Sequence, residues 1–178
     1  YPHGLETFKD DLGLHLFVIN HTPAESVIEE FLVSEVLDAP NLSDPLAPFL
    51  KHRFTWRSRG LVAPNGLVVL DENRLLVSLD HGMLSSAFGR GFSGFFGAME
   101  YPHLVKLFST LEDVSTLGQG KVILLQKEAD KINEKTLASG FAFANGMDIS
   151  ADRSRLYLAE MLTRKVHEFS LDASRVDK

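Results

Sequence analysis

"ANGMDISADRSRLYLAEM", residues 144–161, is the stretch from which the fold is read. A small residue precedes Asn145 and Gly146, a short alternating run follows, and an acidic turn around Asp152 leads into a second run with strand character. Apolar residues at every second position give the period of a half-buried strand, and Asp, Asn and Gly between two such runs mark a hairpin. The preceding "FAFANG" (141–146) reads on its own as a strand ending in an Asn-Gly turn, because both residues accept positive φ.

The same unit occurs twice more, as "PHGLETFKDDLGLHLFVINH" (2–21) and "PNGLVVLDENRLLVSLDH" (64–81). Each copy begins with Pro or Ala, then His or Asn, then Gly. The starts lie 62 and 80 residues apart, and a four-stranded propeller blade takes roughly 40 residues. The longer gap therefore reads as two blades, and the shorter as one blade with a long loop or two short ones. Hairpins recurring at this period indicate an all-β fold of the β-propeller type, a single domain over 1–178. Strands are expected at 14–20, 26–34, 66–70, 74–79, 121–127, 155–161 and 164–171, separated by Pro- and Asp-bearing loops such as "DAPNLSDPLAP" (38–48).

Residues 82–113 break the pattern. The first half is rich in Gly and Phe, and the second, with Leu104, Val105, Leu107 and Leu111 near helical spacing, fits a short helix. An apolar insertion of this length suggests a lid, or a surface touching substrate, a membrane or a lipoprotein; packing over a blade edge is the equal alternative. Phe88, Phe92, Phe95 and Phe96 would supply apolar wall for an acyl or aryl group.

The 178 residues carry a net charge of -6, which disfavours nucleic acid as a partner because no basic stripe is available to neutralise phosphates. No run approaches the roughly 20 apolar residues of a membrane helix. The chain opens on Tyr1 and shows no leader, which reads as a fragment or a processed product. With no cysteine, disulfides and thiolate metal sites are excluded from this stretch. Two glycosylation triplets, Asn20-His21-Thr22 and Asn41-Leu42-Ser43, tilt the expectation toward the secretory route.

His3, Asn65 and Asn145 hold the same place in the three copies. In equivalent blades they would converge near the axis, and amide oxygens joined by carboxylates and water suit Ca²⁺ rather than zinc. On spacing alone, the plainer reading that these residues serve turn geometry is the stronger one.

"PHGLETF", "LFVINH", "PNGLVVLDENRLLVSLDH" and above all "GFAFANGMDISADRSRLYLAEMLTRKVHEF" resemble the paraoxonase/arylesterase family, the calcium-dependent lactonases. The resemblance covers most of the chain and is weakest over 82–120. It implies a six-bladed β-propeller with calcium in its central tunnel, of which this chain is about half. It also implies that Asn65 and Asn145 are amide ligands of the catalytic calcium. His3 and His21 would be a histidine dyad activating water, Asp80 an acidic lining residue with His81 beside it, and Leu5 a backbone ligand of a second, structural calcium. Where the family has Asp after the first ligand Asn, this chain has Gly66, which removes a carboxylate from that second site. The remaining ligands fall before Tyr1 and after Lys178.

The expected function is then a secreted or secretory-pathway, membrane-associated glycoprotein, a calcium-dependent hydrolase of lactones and aryl esters with phosphotriester turnover as a side activity. The rivals are a non-catalytic propeller binding module, favoured by Gly66, and a gluconolactonase-like or strictosidine-synthase-like propeller. His15, His52, His103 and His167 carry no motif and are expected to be surface or packing residues.

Overall fold

A computed structural model describes residues 2–33, 49–80, 119–129, 131–172 and 175–177. Every regular element among them is a β-strand: β1 (Pro2–Asp10), β2 (Gly13–His21), β3 (Ser26–Val33), β4 (Leu50–Trp56), β5 (Pro64–Asp71), β6 (Arg74–Leu79), β7 (Gly120–Glu128), β8 (Lys131–Phe141), β9 (Ala144–Ile149), β10 (Arg155–Glu160), β11 (Lys165–Asp172) and β12 (Arg175–Asp177). They form three antiparallel four-stranded sheets, ordered β1-β2-β3-β4, β5-β6-β7-β8 and β9-β10-β11-β12. These are three blades of a partial β-propeller. No helix among the described residues is long and apolar enough to cross a membrane.

The three hairpin copies are the first two strands of the three blades, β1-β2, β5-β6 and β9-β10. Each turn is closed by the acidic residue that the pattern placed there. Asp10 Oδ1 accepts the Leu12 N–H at 2.7 Å and the Gly13 N–H at 3.1 Å, and Asp71 Oδ1 accepts the Asn73 N–H at 2.9 Å. In the third copy Asp152 takes the Ser150 and Ser154 hydroxyls at 2.5 and 2.9 Å. Hydrogen bonds from Ser150 and Ser154 hold the Asp152 carboxyl at about 2, since each favours the charged form. Next to it Arg153, at φ 59°, donates to Val69 O and Leu70 O of blade 2 and ties the turn to its neighbour.

Two apolar layers join the blades. Phe17, Ile19, Ile28 and Trp56 of blade 1 meet Leu67, Val69, Leu75, Val77 and Ile123 of blade 2. The opposite face of blade 2, with Val68, Leu76 and Val122, meets Ala144, Leu156, Leu158 and Phe169 of blade 3. The central sheet is thus buried on both faces, which is why β5 and β6 read as nearly continuous apolar runs rather than alternating ones.

Two expectations need correction. The 80-residue gap holds one blade, β5 to β8, not two; its excess length lies between β6 and β7. The 62-residue gap is one blade with a long connection, between β3 and β4, the first of the two readings open to it. Asn145 and Gly146 are not a turn: both lie inside β9, and the chain bends just before them, where Phe143 adopts φ 68°. The strands β4, β8 and β12 were not legible because outer strands carry charge where inner ones carry apolar residues; β8 (KINEKTLASGF) is mostly exposed. The insertion at 82–113 with Phe88, Phe92, Phe95 and Phe96, and His81, His103 and Asn41, lie outside the described residues.

Candidate functional site

The inner strands β1, β5 and β9 start at one end of the blades, and this end collects the expected residues. Successive inner strands approach so closely that a Cβ on Gly4 would lie 2.6 Å from Asn65 O, and one on Gly66 2.9 Å from Asn145 O and 3.0 Å from Met147 N. Only hydrogen fits at such contacts. The glycine after His3 and Asn65 therefore admits the next blade, which is a different reason from the turn geometry that the sequence suggested. Gly146 keeps the pattern, but a Cβ there meets nothing within 4 Å among the described residues.

Ser78 fastens the second of these contacts. Fully buried, its Oγ accepts the Gly66 N–H at 2.8 Å and donates to Asn145 O across the blade boundary. A lone hydroxyl in the apolar run "LLVSL" (75–79) was the signal in the sequence, and it went unread.

His21 and His3 come together: His21 Nε2 and His3 Nδ1 are 3.4 Å apart, with ring centroids at 5.6 Å and planes tilted by 54°. His21 Nδ1 lies 2.9 Å from Ser26 Oγ. Burial, then the neighbouring His3, lowers the His21 pKa below the ordinary 6.5, with Asp80 opposing them. In blade 2, Asn65 is 8% exposed and its Nδ2 donates to Asp80 Oδ2 at 3.4 Å. Asp80 is positioned by its own N–H, which donates to Ala63 O at 3.1 Å. In blade 3 the Asn145 Nδ2 lies 3.7 Å from Met161 Sδ. Leu5 belongs to β1, and its side chain is 62% exposed.

No group of three His, Asp or Glu close enough to hold a metal occurs among the described residues. The amide oxygens gathered here are donors that fit calcium in kind. Asn65 engages only its amide nitrogen among the described residues, which leaves the Oδ1 of a nearly buried side chain available as a hard ligand. The second, structural calcium does not fit. Gly66 brings no carboxylate, and the space a side chain would need is taken by Asn145 O, Met147 N and Ser78 Oγ.

The other described histidines are structural. His15, 4% exposed, bridges Asp10 Oδ1 (3.2 Å) and Glu30 Oε1 (3.1 Å), and Glu30 also accepts the Trp56 indole N–H at 3.1 Å. His167 pairs with Glu160 at 2.6 Å, and His52 lies on Glu29 at 2.9 Å.

With this geometry in view, the relatives are informative. No protein-family model matches the sequence. Among curated proteins the chain is 27% identical over 174 residues, 97% of its own length, to serum paraoxonase/arylesterase 1 of Homo sapiens. Over nearly its whole length this chain is similar to the paraoxonases. It is also 28% identical over 167 residues, 93% of its length, to serum paraoxonase/lactonase 3 of Oryctolagus cuniculus, and 27% identical over 167 residues to serum paraoxonase/arylesterase 2 of Rattus norvegicus. The paraoxonase-like chain spans 39% of the human relative and 38% of the other two.

Proposed function

We propose that this chain carries part of the active site of a calcium-dependent hydrolase of lactones and aryl esters. The observation that carries the reading is the gathering of His3, His21, Asn65, Asp80 and Asn145 at one end of three adjacent inner strands, in a chain whose relatives are named arylesterases and lactonases. Asn65 and Asn145 would hold the calcium, together with ligands from elsewhere. When bound, calcium supplies a Lewis acid that polarises the ester carbonyl and stabilises the oxyanion.

The protein's own residues handle the proton. With His3 Nδ1 turned to His21, Nε2 is the ring nitrogen left to take a proton from the attacking water. The water oxygen bonds to the acyl carbon, the ring C–O bond breaks, and the proton passes to the departing oxygen. Asp80, next to His21, would favour the charged form of the His21 ring if His3 passes its proton on from Nδ1 to His21 Nε2. Phosphotriester turnover would use the same polarisation at phosphorus. Secretion, glycosylation at Asn20 or Asn41, and contact of 82–113 with a membrane or lipoprotein accompany the reading as further proposals.

Gly66 favours the second reading, a propeller module that binds without catalysis. The two part on mutation. Asn145→Ala should lower calcium affinity, read by titration calorimetry, and lactone turnover together, the latter by roughly a hundredfold or more, with the β-type circular dichroism unchanged. His3→Gln should leave calcium binding intact and cut turnover by roughly 10²-fold or more. Full calcium-dependent turnover in Asn145→Ala would reject the ligand assignment, and binding of calcium without turnover in the parent chain would favour the binding module.

A further inference from the structure

Ser26 and His21 are register partners at the end of the β2-β3 hairpin. The turn between them is fixed by Thr22, whose N–H and Oγ1 donate to Glu25 O at 2.9 and 2.6 Å while its Oγ1 accepts the Glu25 N–H at 3.0 Å. The backbone thus delivers the Ser26 hydroxyl to 2.9 Å from His21 Nδ1, closer than the 3.4 Å between the two histidines.

That contact bears on where protons can stand. A neutral imidazole carries one N–H and one lone pair. For His3 to accept a proton at Nε2 its own N–H must be on Nδ1, pointing at His21 Nε2, which must then be an acceptor. The N–H of His21 is thereby forced onto Nδ1, where it needs an acceptor of its own, and a serine hydroxyl has lone pairs to offer. The competing acceptor is the Pro64 carbonyl, which also hydrogen-bonds the His21 ring. Donation to it through Nε2 would reverse the order, leaving Ser26 as donor and His3 without a lone pair at Nε2.

We propose that Ser26 is a positioning residue: by accepting the His21 Nδ1–H it fixes the tautomer whose Nε2 lone pair faces His3. The inference rests on the hydrolase reading for its purpose, but the tautomer can be measured without turnover. Nitrogen-15 NMR of the histidine-labelled chain should show His21 protonated at Nδ1. Ser26→Ala should shift it toward the Nε2–H form that free imidazole side chains prefer, and Ser26→Thr, which keeps the hydroxyl, should restore the parent signature. In the lactone assay Ser26→Ala should lower kcat on the order of tenfold with KM unchanged. An Nε2–H His21 in the parent chain, or a tautomer indifferent to Ser26→Ala, overturns the proposal. A parent chain with the expected tautomer but no turnover overturns the hydrolase reading and leaves the role of Ser26 in place.

Discussion

Asp80 and Glu160 occupy the same place in successive copies of the hairpin, one just after β6 in blade 2 and the other ending β10 in blade 3, yet they do different work. Glu160, 6% exposed, spends both oxygens on the fold: Oε1 accepts the Ala142 N–H at 2.6 Å and Oε2 meets His167 Nε2 at 2.6 Å. Burial alone would raise its pKa, but the hydrogen bonds from Ala142, His167 and Thr163 outweigh it and hold the carboxyl at about 2. Asp80 is met by the Asn65 amide at 3.4 Å and faces the histidine pair. A repeat fixes where a carboxylate stands; what surrounds it decides which hydrogen bonds it makes.

The contrast can be broken by mutation, and the largest effect should fall on Glu160. Glu160→Gln replaces charge-assisted hydrogen bonds with neutral ones and should destabilise by roughly 2 kcal/mol in denaturant titration at neutral pH. The same residue sets an acid limit. A carboxyl lowered in the fold binds its proton more weakly there than in the unfolded chain, so its stabilisation is complete above the ordinary 4.5 and is lost as pH falls toward about 2. The melting temperature should drop across that window, and drop less steeply in Glu160→Gln. Gly66→Ala should come next, costing about 1–2 kcal/mol because its methyl meets backbone atoms of blade 3 that cannot step aside. Gly146→Ala, the same position one blade on, should shift stability by less than about 0.5 kcal/mol, since nothing described stands in the way. Equal effects at the two glycines would show that their place in the repeat, and not the neighbouring strand, sets the requirement.

The fold was legible where apolar periodicity survives translation into burial. The hairpins β1-β2, β5-β6 and β9-β10 were read from their alternation and acidic turns, which the structure closes with side-chain hydrogen bonds. The outer strands β4 and β8 were missed because a strand with one solvated face and an unpaired edge can be built from Lys, Arg, His and Glu. The blade count failed at the second gap because sequence distance does not distinguish a blade from a long connection. At the site, His3, His21, Asn65 and Asp80 were singled out through the resemblance, but Ser26 and Ser78 were not. Each acts through one hydroxyl whose partner is set by register rather than by local sequence. Gly66 was noticed as a missing carboxylate, whereas its contact with the next inner strand could emerge only once two blades were placed side by side.

The long connection between β6 and β7 bears finally on how the chain reaches its native state. β5 and β6 are joined by a two-residue turn and β7 and β8 by a similarly short one, so both pairs can close rapidly. Pairing β6 with β7 must first bring together segments separated by about 40 residues, an entropic penalty greater by roughly 2 kcal/mol than for a four-residue link. Blade 2 is also the sheet on which both apolar layers depend. The two hairpins should therefore form first and the central seam last, so that blades 1 and 3 acquire their common support in one late step.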